Sequence, residues 1–325
     1  MKNHQEINYW VSRPHVVILG AGASYSAFPN GDKNGKELPL MHNLIDKLGL
    51  SSLLSSKMHD NFEEVYSQLA GDKTKIDLRE KIEEKVYDYF SVLEVHNKPT
   101  IYDYLLLSLR EKDVVATFNW DPFLIQSYRR NYIKFEGKLP ALYFLHGNVK
   151  VGYCQNDGVA GAIGNPCSRC KKPLSPTKLL YPVTNKNYDQ DPFIASQWKE
   201  LQSHLLNAFI LTIFGYGAPR SDKKAIDLMS KAWGSKELKQ IEIIDIKGEK
   251  ELVDSWGDFI HSHHYDIHQN FYDSWIAKHP RRTVESFCRQ TLGCESIDDN
   301  PVPNEYVNFN ELWSWYEKLI LEEKS

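Results

Sequence analysis

HVVILGAGAS, residues His15 to Ser24, is the stretch that decides the fold. Val16 to Leu19 are apolar without a break, and the run stops on Gly20, with a second glycine two positions later. A short, continuous Val/Ile run is how a strand reads when both faces of a parallel sheet are covered. Gly-Ala-Gly after it asks for a sharp turn into a helix. There the free N–H groups attract anions, and the missing Cβ atoms let a pyrophosphate approach the backbone. Gly20, Ala21, Gly22, Ala23 and Ser24 are therefore candidate nucleotide contacts. Tyr25 stands where a full G-x-G-x-x-G would carry its third glycine. Alone, the segment also fits a tight strand-to-helix turn in any α/β protein.

Working outward, four further runs have the same bounded, apolar character: DVVATF (Asp113 to Phe118), LYFLH (Leu142 to His146), FILTIFG (Phe209 to Gly215) and IEIIDI (Ile241 to Ile246). Helical patterns lie between them. Ile82, Val86, Tyr89, Phe90 and Leu93 recur at steps of three and four, and Thr100 with Asp103 opens IYDYLLLSL as a capping box. Pro192 to Asn207 puts Ile194, Trp198, Leu201 and Leu205 on one side. Strands alternating with helices predict an α/β fold with a Rossmann-like, doubly wound parallel sheet. Two stretches interrupt the alternation. Residues 38–110 predict an inserted helical module. Residues 148–185, rich in Gly, Pro, Asn and Cys, predict a small cysteine-containing module without a long element. The expected organisation is a nucleotide-binding domain over 1–270 holding both inserts, then a C-terminal helical extension over 271–325.

The totals narrow the functional classes. The chain has 325 residues, 42% of them hydrophobic and 12% aromatic, enough for a true core. Lys+Arg 39 against Asp+Glu 43 gives a net charge of −4, which argues against general nucleic-acid binding. No run is long and apolar enough for a membrane span, and MKNHQEINYW is too polar for a secretory signal. Five cysteines do not form an even disulfide framework. The expectation is a reduced, cytoplasmic protein.

Three groups carry chemistry. VVATFNWDPFL places Asn119 and Asp121 just beyond a buried strand, where open α/β sheets make ligand contacts. Asn can hold a carboxamide or orient a water, whereas Asp121 equally fits an Asx-turn capping the next helix. LYFLHGNV places His146 at another strand end, with an ordinary pKa near ~6.5 that suits general-base work. Cys167-x-x-Cys170 has the spacing of half a zinc site, with Cys154 upstream. Asp157 is the nearest fourth ligand; a water, or a metal-free loop, also fits. HSHHYDIH (His261 to His268) reads as a solvated surface, Trp198, Trp233, Trp256 and Trp275 as packing residues, and Cys288 and Cys294 as ordinary thiols.

Together GAGAS, TFNWD (Thr117 to Asp121), His146-Gly147, the Cys167–Cys170 pair, GYGAPRSD (Gly215 to Asp222) and IIDI (Ile243 to Ile246) resemble the sirtuin family, in the family's order. The resemblance implies NAD as ligand, cradled by Gly20 to Ser24, with Asn119 holding the nicotinamide ribose and a water, and His146 acting as base. It further implies cofactor contacts from Asp121, from Gly215, Tyr216 and Gly217, and from Asp245 at the adenosine ribose. The family's serine-bearing turn here has Gly217 in the serine position. The stretch SYSAFPNGDKNGKELPLM departs from the deacylase pattern: Asn30 replaces its Asp, no Phe-Arg follows, and a differently built lid is expected over 25–40. No V-x-x-N segment of an acyl-lysine channel is found. The chain is similar to a divergent bacterial branch in which NAD hydrolysis during phage defence recurs.

The expected activity is hydrolysis of the nicotinamide–ribose bond, giving ADP-ribose and nicotinamide, with control by a partner protein or by homo-oligomer assembly. A structural zinc held by Cys154, Cys167 and Cys170 is the one further cofactor. The alternatives are an NAD-dependent protein deacylase and a non-catalytic sensor of NAD or ADP-ribose.

Overall fold

A computed structural model describes residues 9–54, 61–183, 186–218, 222–234, 239–260, 264–303 and 308–323. All five apolar runs are strands: β1 (His15–Leu19), β2 (Val114–Thr117), β3 (Ala141–Phe144), β7 (Ile210–Phe214) and β8 (Gln240–Ile244). With β9 (His264–His268) they form one six-stranded sheet in the order β3-β2-β1-β7-β8-β9, every pairing parallel. Counted along the chain, this is the 3-2-1-4-5-6 order of the doubly wound dinucleotide-binding sheet, and the order reverses between β1 and β7.

The continuous apolar runs are explained by cover on both faces. Val17 and Leu19 point into one core, under the helices Ala21–Ala27, Ile101–Ser108 and Phe123–Tyr132. Val16 and Ile18 point into the other, under Pro192–Asn207, Lys223–Trp233 and Glu249–Ile260. The expected stripe Ile194, Trp198, Leu201 and Leu205 is buried in the second core. Both hydrogen bonds of the Thr100/Asp103 capping box form. Within 38–110 lie the helices Leu44–Lys47, Phe62–Gly71, Ile76–Ser91 and Ile101–Ser108. On Ile76–Ser91, Ile82, Val86 and Phe90 are buried, whereas Tyr89 stays half-exposed and donates its hydroxyl to the Glu37 carbonyl.

One reading needs correction. HYDIH is an edge strand, β9, and not merely a solvated histidine cluster; His261 to His263 lie outside the described residues. An edge strand is covered on fewer sides, so His264 to Asp266 remain exposed and its sequence loses the continuous apolar signature. Residues 148–185 carry no long element, as expected: the short strands β4 (Val151–Cys154), β5 (Val159–Ala162) and β6 (Ser175–Pro176) make an antiparallel sheet in the order β5-β4-β6. Beyond 270, the helix Phe309–Glu322 buries Leu312, Tyr316 and Ile320 in the first core.

Candidate functional site

Strand register builds the site. Leu19 is paired with Thr117 and Phe214, Thr117 with Phe144, and Phe214 with Ile244. Gly20, Phe118, Leu145, Gly215 and Asp245 therefore start one row along the carboxyl rim of the sheet. Asn119 and His146 follow one residue further along their chains. A cavity of about 580 Å³ opens at this rim, and Gly20, Ser24, Asn119, His146, Gly215 and Tyr216 are among its lining residues. Asn119 and His146 thus face one shared space at the switch point, where doubly wound sheets bind ligands.

The turn after β1 and the turn after β7 interlock. Gly20 N–H donates to the Phe214 carbonyl at 3.0 Å and Gly22 N–H to the Gly215 carbonyl at 2.9 Å. Gly215 has φ of +60°, and a Cβ there would lie 2.1 Å from Ala23 N; one on Gly20 would lie 2.4 Å from Gly215 O. These glycines are thus required by the contact of two backbones, a reason distinct from access for a pyrophosphate. Gly20, Ala21 and Ser24 line the cavity, whereas Gly22 and Ala23 are not among its lining residues. At β3, Gly147 has φ of +76°, and its Cβ would meet Lys178 O at 2.1 Å, so the bend that follows His146 needs glycine.

Asn119 is oriented by its own surroundings. Its Nδ2 donates to the Gly20 carbonyl at 2.8 Å and to Ser24 Oγ at 2.9 Å. A carbonyl only accepts, so the amide orientation follows, and Oδ1 has no partner among the described residues. Ser24 in turn donates to Asp121 Oδ2 at 2.7 Å and contacts Tyr102 Oη at 2.6 Å. Asp121 accepts the Phe123 N–H at 3.1 Å, so it closes an Asx-turn into the following helix and also anchors this network. Burial pushes its carboxyl up to about 6, against the hydrogen bond from Ser24.

His146 is 5% exposed. Phe118 meets it edge-on at 4.8 Å, and Tyr216 stacks on Phe118 at 4.1 Å. Burial, then the nearby Lys186 ammonium, lower its pKa to about 3, while Asp222 opposes them. The ligand-free imidazole is therefore neutral. Lys186 and Asp222 also line the cavity. Neither was assigned a role from sequence: they are 36 residues apart, and no local pattern joins them. Leu38, Pro39 and Leu40, from the end of the stretch expected to make a different lid, form part of the cavity wall, together with Met41 and His42 just beyond that stretch. Asp245 lies beyond that lining; its Oδ1 accepts the Lys247 N–H at 3.1 Å, and it is Lys247, with Gly217, that reaches the cavity.

The cysteines converge as expected, and Asp157 joins them. Cys154, Asp157, Cys167 and Cys170 place their ligand atoms within 4.8 Å of one another. Cys154 Sγ is 3.4 Å from Asp157 Oδ2 and 3.6 Å from Cys170 Sγ, and Cys167 Sγ is 3.3 Å from the same oxygen. A tetrahedral ion with Zn–S near ~2.3 Å and Zn–O near ~2.0 Å would space its ligands at about 3.5–3.8 Å. The set fits a four-ligand, structural zinc that would clamp β4 and its loops. Cys288 is buried and Cys294 exposed, both far from this group in sequence and reduced.

Fold and site together define a doubly wound α/β protein with a nucleotide-sized cavity at its switch point and a small thiol-rich module beside it. No protein-family model and no curated protein sequence matches the chain. Among solved structures it is similar to a Sir2 homolog–NAD complex, at 12% identity over 91% of this chain and 96% of that one, TM-score 0.42. A structure described as giving the mechanism and regulation of Sir2 enzymes matches at 10% identity over 90% and 98%, TM-score 0.39. A Sir2–p53 peptide–NAD+ complex matches at 15% over 91% and 100%, TM-score 0.36.

Proposed function

We propose that this protein is an NAD glycohydrolase that breaks the nicotinamide–ribose bond. The observation that carries the reading is that Asn119 and His146, from different strand ends, line one cavity at the point where the sheet order reverses. In this reading the turns after β1 and β7 receive the dinucleotide, and Asn119 Oδ1 is the acceptor available to a carboxamide or a water. The C–N bond breaks through an oxocarbenium-like state, nicotinamide leaves with the bonding pair, and water adds to the ribose carbon. Its proton passes to the neutral His146, directly or through a ribose hydroxyl. The products are ADP-ribose, nicotinamide and one proton.

The biological setting we propose is bacterial antiphage defence, which rests on the resemblance of the motifs to that branch. NAD loss is toxic, so the activity would be restrained until a partner protein or self-assembly releases it. Incubating the purified full chain with NAD, with and without an acetyl-lysine peptide, and at low and high protein concentration, tests the reaction. Nicotinamide release without peptide supports hydrolysis. Release only with peptide points to the deacylase, and no release under any condition, with NAD still bound, to the sensor.

A further inference from the structure

Glu63, Asp121 and Asp222 line the cavity, and only two of these carboxylates are engaged within the protein. Asp121 accepts from Ser24 Oγ at 2.7 Å on one oxygen and from the Phe123 N–H at 3.1 Å on the other. Asp222 accepts from the Lys186 ammonium on one oxygen and from Tyr216 Oη at 2.8 Å on the other. Lys247, the second ammonium on the wall, pairs with Glu251 at 2.6 Å. Glu63 is half-buried, and its carboxylate has neither a hydrogen bond nor a cation among the described residues.

The fold holds Glu63 in place. It sits in the first turn of the helix Phe62–Gly71, supplied by the insert between β1 and β2. Asn61 Oδ1 caps that turn by accepting the Glu63 N–H at 2.9 Å. The Phe62 N–H donates to the Met41 carbonyl at 3.1 Å, which ties the turn to one segment of the cavity wall. Further along the helix, Tyr66 stacks on Tyr181 at 4.8 Å and Ser67 Oγ donates to the Pro182 carbonyl at 3.3 Å. Leu180 and Pro182 belong to the wall as well. The helix thus joins two wall segments and presents Glu63 to the space that Asn119 and His146 share. An acidic residue in a first turn is favoured by the free N–H groups there. Glu64, in the same turn, meets that need while staying exposed and outside the lining.

Breaking the nicotinamide–ribose bond moves positive charge from the pyridinium onto the ribose ring. A fixed anion beside that ring gains most when the charge arrives, and an interaction stronger in the transition state lowers the barrier. Asn119 and His146 are neutral, and the other charges of the wall are matched. We propose that Glu63 is a further catalytic residue, which accepts hydrogen bonds from the hydroxyls of the nicotinamide ribose and opposes the positive charge that develops on it. Carboxylates flank the same kind of cation in glycoside hydrolysis. Glu63 gains and loses no atom: nicotinamide leaves with the bonding pair, water adds to the ribose carbon, and loss of the water proton discharges the ring. The inference rests on reading the cavity as the site of NAD cleavage.

The test compares Glu63→Gln, which keeps size and removes charge, with Glu64→Gln from the same turn, both in the full chain. Glu63→Gln should lower kcat for nicotinamide release about thirtyfold while raising KM only about fivefold, and Glu63→Asp should recover part of the loss. Glu64→Gln should leave turnover as it is. Titration calorimetry reads the contact without turnover. Glu63→Gln should weaken ADP-ribose about fivefold and leave ADP, which lacks the second ribose, unchanged. An unchanged kcat in Glu63→Gln, an equal loss in Glu64→Gln, or equal weakening of ADP and ADP-ribose overturns the proposal. If the wild type releases no nicotinamide, the reaction assigned above fails and the catalytic role with it, and the ribose contact is decided by the two affinities. A chain that binds neither ADP-ribose nor ADP overturns both.

Discussion

His15 and His146 are both buried in the same sheet, yet only one of them belongs to a site. Burial first, with Lys112 adding to it and Glu242 opposing, lowers His15 to about 4; His146 falls to about 3. Their hydrogen bonds separate them. Thr212 Oγ1 donates to Glu242 at 2.8 Å, so it accepts from His15 Nε2 at 2.8 Å, and Thr283 Oγ1 fills Nδ1 at 3.0 Å. Both nitrogens of His15 are spent tying β1 to β7 and to the start of the helix Thr283–Leu292. His146 has one long contact and a cavity beside it. Depressed basicity is therefore a sign of burial; an unspent nitrogen facing a void is a sign of chemistry.

The largest expected effect tests that difference directly. His146→Ala and Asn119→Ala should each lower nicotinamide release at least a hundredfold, with melting behaviour retained. His15→Ala, assayed below its melting temperature, should keep activity within a few fold. Equal losses at both histidines would erase the distinction. The converse holds for stability. His15→Ala leaves the buried Thr212 and Thr283 hydroxyls each short of a partner and should cost about 2–3 kcal/mol in denaturant unfolding, more than His146→Ala costs.

The pH dependence sharpens the comparison further. A histidine whose folded pKa lies below its unfolded value of ~6.5 favours the fold when neutral. That contribution is complete above pH 6.5 and is lost as pH falls toward the folded value, because the unfolded chain takes the proton first. His15 thus supplies stability that disappears between about pH 6.5 and 4. Asp121 and Asp113, both raised to about 6 mainly by burial, act in the opposite direction over much of that window. The readable quantity is therefore a difference between variants. The unfolding free energy of His15→Gln should depend on pH less steeply than that of the wild type, by up to about 1 kcal/mol per unit in this range. Identical slopes would show that His15 does not titrate on unfolding.

The smallest effect on activity is expected at the thiol cluster, which touches neither histidine. Cys167→Ser should lower both the zinc content, measured by atomic absorption, and the melting temperature. Turnover by the protein that remains folded should change less than tenfold. A collapse in kcat at unchanged stability would make the metal part of the reaction.

How much of this was legible in the residues differs from place to place, for physical reasons. β1, β2, β7 and β8 could be read because a strand buried on both faces must be apolar at successive positions, and that requirement is local; β3, at the opposite edge with Ala141 to Tyr143 half-buried, was read from its short apolar run alone. The capping box at Thr100 and the Cys167–Cys170 pair were legible for the same reason, as was the placing of Asn119 and His146 at strand ends. β9 was not, because an edge strand with exposed histidines carries no such pattern. Only the tertiary structure decided the 3-2-1-4-5-6 order, the backbone contact that demands Gly20 and Gly215, and the meeting of Lys186 with Asp222 behind His146. Each depends on segments tens or hundreds of residues apart arriving at one point. Residue type fixes what a group can donate, accept or bury, but packing alone chooses its partner.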